Sequence, residues 1–147
     1  MRIERLDFYE LPHGLLHKGK DIVIYGAGTV GQQYIVQLLS GGGQLRYVVD
    51  KKFQMFSDLD VGFEVNSPDI LKNLKRKDVI IVLANKNIDE ATHIKKSLID
   101  MGFCEEQIVY NLKYKKIEVP AESMKKHGTH AIQHSRDEKC LEVNWIF

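Results

Sequence analysis

Short apolar runs alternate along the chain with amphipathic stretches, which predicts strands and helices in turn. The runs are rich in β-branched residues, so each predicts a buried strand, and apolar residues recur between them at helical spacing. We predict strands at residues 21–25, 45–49, 78–84 and 107–110, and helices at 29–40 and 88–101. A further helix is predicted to begin at Pro68, with Ser67 as its cap. Strands that are apolar almost throughout indicate an α/β protein with a Rossmann-like open parallel sheet and helices on both faces.

The two ends of the chain lack this alternation. Residues 1–20 mix apolar and charged residues around Pro12 and Gly14, so we expect a short helix or turn that packs on the core. Residues 51–62 predict a loop and 63–65 a short strand. We therefore divide the chain into an N-terminal amphipathic segment (1–20), a Rossmann-like domain (21–112) and a C-terminal extension or docking tail (113–147).

The tail ends in an apolar segment, residues 141–147. Strand-like alternation places Val143, Trp145 and Phe147 on one side of it. Such a side is expected to be buried, against the chain's own core, a second subunit or a neighbouring domain.

A glycine-rich turn follows the first predicted strand: Gly26, Ala27, Gly28, Thr29, Val30 and Gly31 form the pattern G-x-G-x-x-G. In such a turn the first glycine permits the sharp bend, the second lets the backbone approach a pyrophosphate, and the third allows close packing of helix and strand. Free N–H groups and the dipole of the helix favour phosphate there, and the Thr29 hydroxyl adds a donor. The turn predicts a nucleotide site; the alternative is a Rossmann turn without a ligand.

Residues at the ends of the next two strands belong to the same expected site. Asp50 ends the second strand, close to the spacing of about 20 residues at which a carboxylate binds ribose hydroxyls. Lys51 and Lys52 follow. They accept a 2′-phosphate or a sugar diphosphate, or they are solvated loop residues, which is the favoured interpretation; the retained acid argues against a 2′-phosphate. Ala84 and Asn85 end the third strand and are expected to line the crevice, with Lys86 beside them and Asn87 as a helix cap.

Composition narrows the classes of function. The net charge is +1 at pH 7, which argues against a nucleic-acid partner and against a polybasic membrane anchor. No apolar run approaches the roughly 20 residues that span a bilayer, and no secretory signal is visible. Cys104 and Cys140 are expected to be reduced thiols. We therefore expect a cytoplasmic protein without membrane insertion.

Candidate catalytic groups are few. Tyr47 and Lys51 have the spacing of a reductase pair, but they lie on a strand and its exit, where the side chains cannot pair as they do on a helix. His127, His130 and His134 have a spacing that would bind zinc or nickel on a helix, although Gly128 and Thr129 weaken a helix there and favour a solvated tail. We assign no catalytic residue and no metal site.

Several segments resemble a known group of proteins. They are LLHKGKDIVIYGAGTVGQQYIVQL, VVDKK, VNSPDIL, DVIIVLANKN and GFCEEQIVY, within residues 15–112. They resemble small Rossmann-type NAD(P)- or nucleotide-sugar-binding domains of bacterial surface-polysaccharide biosynthesis proteins, which occur beside glycosyltransferases, methyltransferases and sugar-modifying enzymes. The resemblance implies that Gly26, Gly28 and Gly31 contact a diphosphate and Asp50 a ribose or its surroundings, and it implies no catalytic residue.

Three functions remain open at this point. The first is a module that binds NAD(P) or a nucleotide-diphospho-sugar and serves glycan assembly, as a homodimer or with a partner enzyme in the same or another chain. The second is an NAD(P)-dependent oxidoreductase acting on a sugar, for which Tyr110, Tyr114 and the tail histidines are the only candidate acids. The third is a ligand-sensing regulatory Rossmann domain of the potassium-transport type.

Overall fold

A computed structural model describes residues 3–12, 20–59, 61–74, 77–120 and 140–144. Two sheets and three α-helices make up this part of the chain, together with two short 3₁₀ helices. In chain order they are β1 (Ile3–Glu10), β2 (Asp21–Tyr25), α1 (Thr29–Ser40), β3 (Gln44–Val49), α2 (Phe53–Leu59), a 3₁₀ helix (Pro68–Asn73), β4 (Val79–Leu83), α3 (Ile88–Asp100), a 3₁₀ helix (Glu105–Gln107), β5 (Ile108–Val109), β6 (Asn111–Pro120) and β7 (Cys140–Asn144).

The larger sheet has four parallel strands in the order β3-β2-β4-β5, flanked by helices. The four strands that the sequence predicts are confirmed, as is the α/β class. Asn66 adds one parallel bridge to Val49 outside β3. The segment at Asn66 then lies beside β3, so the order across the sheet is Asn66, β3, β2, β4, β5. Numbered by their sequence within this sheet, these members have the order 3-2-1-4-5, which is compatible with a Rossmann-like fold. The order reverses between β2 and β4, so a crevice is expected at the carboxyl ends of these two strands.

The central strands are apolar because neighbouring elements cover them. Ile22, Val23 and Ile24 of β2 are fully buried, although successive side chains point to opposite faces of the sheet. Both faces at β2 are therefore covered. α1 contributes Tyr34 and Leu38 to this core.

The helix boundaries follow local signals. The Asn87 side chain accepts hydrogen bonds from the N–H groups of Asp89 and Glu90, at 2.9 and 3.2 Å, and so begins α3. The Ser67 hydroxyl accepts from Asp69 N–H at 3.2 Å, which confirms the predicted cap before Pro68. The helix that begins there is a 3₁₀ helix.

The helix or turn predicted within residues 1–20 is wrong for β1, which is a strand. β1 pairs antiparallel with β6, and oppositely charged side chains face each other across the pair. The ion pairs are Arg5–Glu118 at 3.3 Å, Asp7–Lys116 at 3.2 Å and Glu10–Lys113 at 3.2 Å. The partner strand is so distant in sequence that β1 has only a weak local signal, and the strand ends at Glu10, before Pro12.

The loop predicted at 51–62 is also wrong, since it contains α2. The Asp50 carbonyl accepts a hydrogen bond from Phe53 N–H at 3.1 Å, which starts the turn that leads into this helix. The strand predicted at 63–65 is reduced to the single bridge at Asn66. α2 is short and mostly exposed, so it lacks the apolar periodicity that predicts a helix.

The smaller sheet has the order β1-β6-β7, with all pairs antiparallel. β6 crosses the predicted boundary between residues 112 and 113, so the first part of the predicted extension belongs to this sheet. β7 matches the strand-like alternation predicted near the end of the chain and pairs with β6. The tail histidines and residues 145–147 lie outside the described residues.

Two glutamines of α1 join the helix to the outer edge of β1. Gln33 accepts a hydrogen bond from Tyr9 N–H at 2.7 Å and donates to the Asp7 carbonyl at 3.1 Å. Gln37 accepts from Leu11 N–H at 2.9 Å and donates to the Tyr9 carbonyl at 2.7 Å. Residues four apart on a helix rise about 6 Å, close to the roughly 6.7 Å between alternate residues of a strand. The two side-chain amides therefore bond this edge as a neighbouring strand would.

Candidate functional site

The glycine turn lies at the carboxyl end of β2, where two of its glycines are required by the fold. Gly26 has φ of 124°, a left-handed conformation that side chains rarely adopt. A Cβ atom on Gly26 would lie 2.5 Å from the Ala84 carbonyl oxygen, and one on Gly31 would collide with the Gly26 carbonyl. These two glycines bring α1, β2 and the end of β4 together, so the structure places Gly26 and Ala84 side by side, as predicted.

Gly28 differs from both. A Cβ atom at this position would meet nothing within 4 Å, and its φ of −81° is open to any residue. Nothing in the described part of the chain therefore requires a glycine here. The second glycine leaves an open approach to the backbone, at the position where a pyrophosphate would need it.

The N-terminus of α1 faces the same opening. Gly28 offers no side chain to cap the helix, and the first turn has no acidic residue. The first N–H groups of a helix have no partner within it, and here the first internal bond runs from Gln32 N–H to the Gly28 carbonyl. α3 contrasts with α1, since Asn87 caps it and Asp89 and Glu90 lie in its first turn. Thr29 is exposed and Val30 is buried at 3% exposure, so only the threonine offers its side chain to a ligand.

Asp50 holds the glycine turn in place. Its carboxylate accepts hydrogen bonds from Ala27 N–H at 2.9 Å and from Lys52 N–H at 2.8 Å. A carboxylate has about four acceptor positions, so two remain for a ligand. The ribose contact stays a prediction, and the structure adds a second role, because Asp50 connects the turn to the end of β3. Lys51 and Lys52 are exposed.

Gln32 is a contributor that the sequence did not predict. Its side chain donates a hydrogen bond to the Ala27 carbonyl at 2.9 Å. Ala27 is thus held on both sides, by Asp50 through its N–H and by Gln32 through its carbonyl. A polar residue directly after the last glycine of the motif is the available signal, and by itself it is indistinguishable from an exposed helix residue.

The turn after β4 is held by three residues. Tyr110 donates its hydroxyl to the Asn85 carbonyl at 2.7 Å, and the Asn85 side chain accepts from Asn87 N–H at 2.8 Å. Between the two asparagines, Lys86 is exposed and its ammonium lies 5.4 Å from the centre of the Tyr9 ring. Tyr9 in turn packs against Tyr114, with ring centres 6.0 Å apart.

Acidic groups dominate the electrostatics near Tyr25, the last residue of β2. Burial is the largest cause that raises the pKa of Tyr25, and the carboxylates of Asp50, Glu90 and Asp69 follow in that order; together they raise it to about 12. These carboxylates disfavour a further anionic group near Tyr25. Burial also raises the pKa of Tyr34 above its usual range, with smaller contributions from Tyr110 and Tyr9.

A groove of about 370 Å³ runs along the outer side of α1. It begins at Gln32, one turn after Gly28, and its lining does not include Gly26, Gly28 or Gly31. Its lining is mostly apolar: Gln32, Ile35, Val36, Leu39, Ser40, Val61, Gly62 and Phe63.

The described residues hold no group of three histidine, cysteine or acidic side chains that could bind a metal ion. Within the same part of the chain, no helix is long and apolar enough to cross a membrane. Cys104 is an exposed free thiol. Tyr110, a candidate acid, uses its hydroxyl to hold the Asn85 carbonyl. No protein-family model, curated protein or solved structure matches this chain.

Proposed function

We propose that the chain is a nucleotide-binding module of the Rossmann type, with its ligand's diphosphate at Gly26–Gly31. The ligand is NAD(P) or a nucleotide-diphospho-sugar, and the module serves sugar-nucleotide or surface-polysaccharide biosynthesis in the cytoplasm. The observation that carries the proposal is Gly28, because the fold itself gives no reason for a glycine at the open helix terminus. A diphosphate approaching the backbone gives that reason.

Two further observations support this ligand class. The uncapped N–H groups of α1 and the helix dipole favour a phosphate at Gly28. Asp50 retains free acceptor positions next to the turn, at the distance along the chain expected for a ribose contact. Its carboxylate, together with Asp69 and Glu90, favours ligands without a 2′-phosphate.

A charged cap at Gly28 tests the proposal. Aspartate is among the best N-cap residues and stabilises a helix terminus by roughly a few tenths of a kcal/mol relative to glycine. In Gly28→Asp its carboxylate takes the N–H groups that a phosphate would need and repels the ligand. We expect the free energy of unfolding to stay equal or rise, while nucleotide affinity falls at least about 100-fold, as two lost charge-assisted hydrogen bonds imply.

Gly28→Ser is the matched control, since it caps the helix without a charge and is expected to weaken binding less. Calorimetric titrations with NAD⁺, NADP⁺, UDP-glucose and CDP-glucose measure the affinities, and urea unfolding measures stability. Wild-type protein that binds none of the four at millimolar concentration contradicts the proposal. Equal affinity of wild type and Gly28→Asp contradicts the placement of the diphosphate.

A further inference from the structure

The turn after β4 presents a cation, Lys86, whose described interaction is with an aromatic ring and not with a carboxylate. The Asn85 side chain accepts a hydrogen bond within the turn, and the Asn87 side chain caps α3. The Tyr110 hydroxyl donates to the Asn85 carbonyl. Lys86 is exposed, with its ammonium over the Tyr9 ring, and no carboxylate of the described residues pairs with it. A lysine on a turn held in this way has a fixed origin for its side chain.

The order of the strands places Lys86 relative to a bound diphosphate. The sheet order β3-β2-β4 puts Asp50, after β3, and Lys86, after β4, on opposite sides of the glycine turn that follows β2. A ligand with its diphosphate at Gly28 and its nucleoside on the Asp50 side therefore extends its other half towards Lys86. Gly26 packs on Ala84, and two residues of chain from Ala84 to Lys86 span at most about 7 Å.

We propose that Lys86 binds a carboxylate on the distal half of the ligand, and that the ligand is a nucleoside-diphospho-sugar with an acidic sugar. The ammonium group has three donors and no acceptor, so it favours a carboxylate over a neutral hydroxymethyl group. The oxidised nicotinamide ring carries a positive charge, which an ammonium group repels. This inference rests on the proposed function and adds the chemical class of the ligand.

UDP-glucose and UDP-glucuronate test it, because they differ only in the group at C6 of the sugar. Calorimetric titration of the whole chain is expected to show that wild type binds UDP-glucuronate about tenfold tighter, as one charge-assisted contact implies. Lys86→Gln removes this preference by weakening UDP-glucuronate about tenfold, and it leaves UDP-glucose unchanged. Lys86→Arg keeps most of the preference. Lys96→Gln, at an exposed position of α3, removes the same charge elsewhere and behaves as wild type.

The other outcomes separate this inference from the proposed function. Equal affinity of wild type for the two UDP-sugars, or a preference that survives in Lys86→Gln, overturns the role of Lys86 and leaves the nucleotide site in place. Binding of NAD⁺ without binding of either UDP-sugar likewise overturns the role of Lys86 and leaves the nucleotide site in place. A wild-type chain that binds neither the UDP-sugars nor NAD⁺ overturns both.

Discussion

The carboxylate of Asp50 accepts a hydrogen bond from the backbone N–H of Ala27 at 2.9 Å and thereby ties the glycine turn to the end of β3. The residue that the motif assigns to a ribose thus has a structural role before any ligand binds. The turn is fixed by the strand next to it, so the approach to Gly28 is preorganised.

Asp50→Asn is expected to destabilise the fold. The asparagine oxygen can accept one of the two N–H groups that Asp50 now binds, and its amide group would face the other. Leaving one donor without its charged acceptor costs about 1–3 kcal/mol. Urea unfolding measures the change. Asp58→Asn, at an exposed position of α2, is the control and should stay within about 0.5 kcal/mol of wild type; equal stability of the two variants contradicts this role of Asp50.

Gly26→Ala is expected to cost at least about 2 kcal/mol, from its left-handed backbone and from contact with the Ala84 carbonyl. Gly42→Ala measures the first cause alone, so the difference between the two variants gives the cost of the contact with Ala84. Gly42 also has a positive φ, of 80°, but no atom lies within 4 Å of a Cβ there, so only the backbone strain of about 1 kcal/mol is expected. Chemical denaturation compares the two, and equal losses would show that the approach to Ala84 is looser than described.

Stability is expected to fall as the pH rises from 10 to 12. Unfolded tyrosine loses its proton near pH 10, whereas buried Tyr25 keeps its proton to about pH 12. Below pH 10 both states are protonated and the contribution is fully present; above it only the unfolded state releases the proton, so unfolding becomes easier. The loss for Tyr25 is about 2 kcal/mol. Tyr25→Phe should show a smaller decline in unfolding free energy between pH 9 and 11.5, and a decline identical to that of wild type contradicts the assignment.

Tyr110→Phe is expected to cost about 1 kcal/mol, because it removes the hydroxyl that donates to the Asn85 carbonyl. Tyr47→Phe provides a matched control. The Tyr47 ring lies half-buried near the Arg46 guanidinium, at 5.1 Å. Its hydroxyl forms no hydrogen bond with the described residues, so the same deletion should change stability by less than about 0.5 kcal/mol. Thermal unfolding of both variants checks the difference, and an equal shift removes the support for a Tyr110-held turn.

The parts of the fold that the sequence predicts are those whose signals are contiguous. β2, the glycine turn and α1 follow one another directly, and each has its own pattern of β-branched residues, glycines or helical spacing. The cap at Asn87 is likewise local. Gly26, Gly31 and Ala84 lie close together in the structure, as the motif and the rule for strand ends predict, and their contact with a ligand stays a prediction.

What could not be predicted depends on contacts between distant segments. β1 is a strand because β6 pairs with it more than 100 residues later, and pairing of this kind leaves only a weak two-residue alternation in the sequence. α2 begins from the turn made by Asp50, which a count of apolar residues does not detect. The double use of Asp50, as a tie for the turn and as a candidate ligand contact, is visible only once β2 and β3 lie side by side.

The glutamines of α1 have a consequence for how the protein behaves in a crowded solution. An uncovered strand edge is a template on which another chain can add a strand, and such addition is a route to aggregation. Gln33 and Gln37 occupy the edge of β1 at Asp7, Tyr9 and Leu11 with side chains instead of backbone. The helix that begins at the glycine turn thus also covers this stretch of the β1 edge against the addition of another strand.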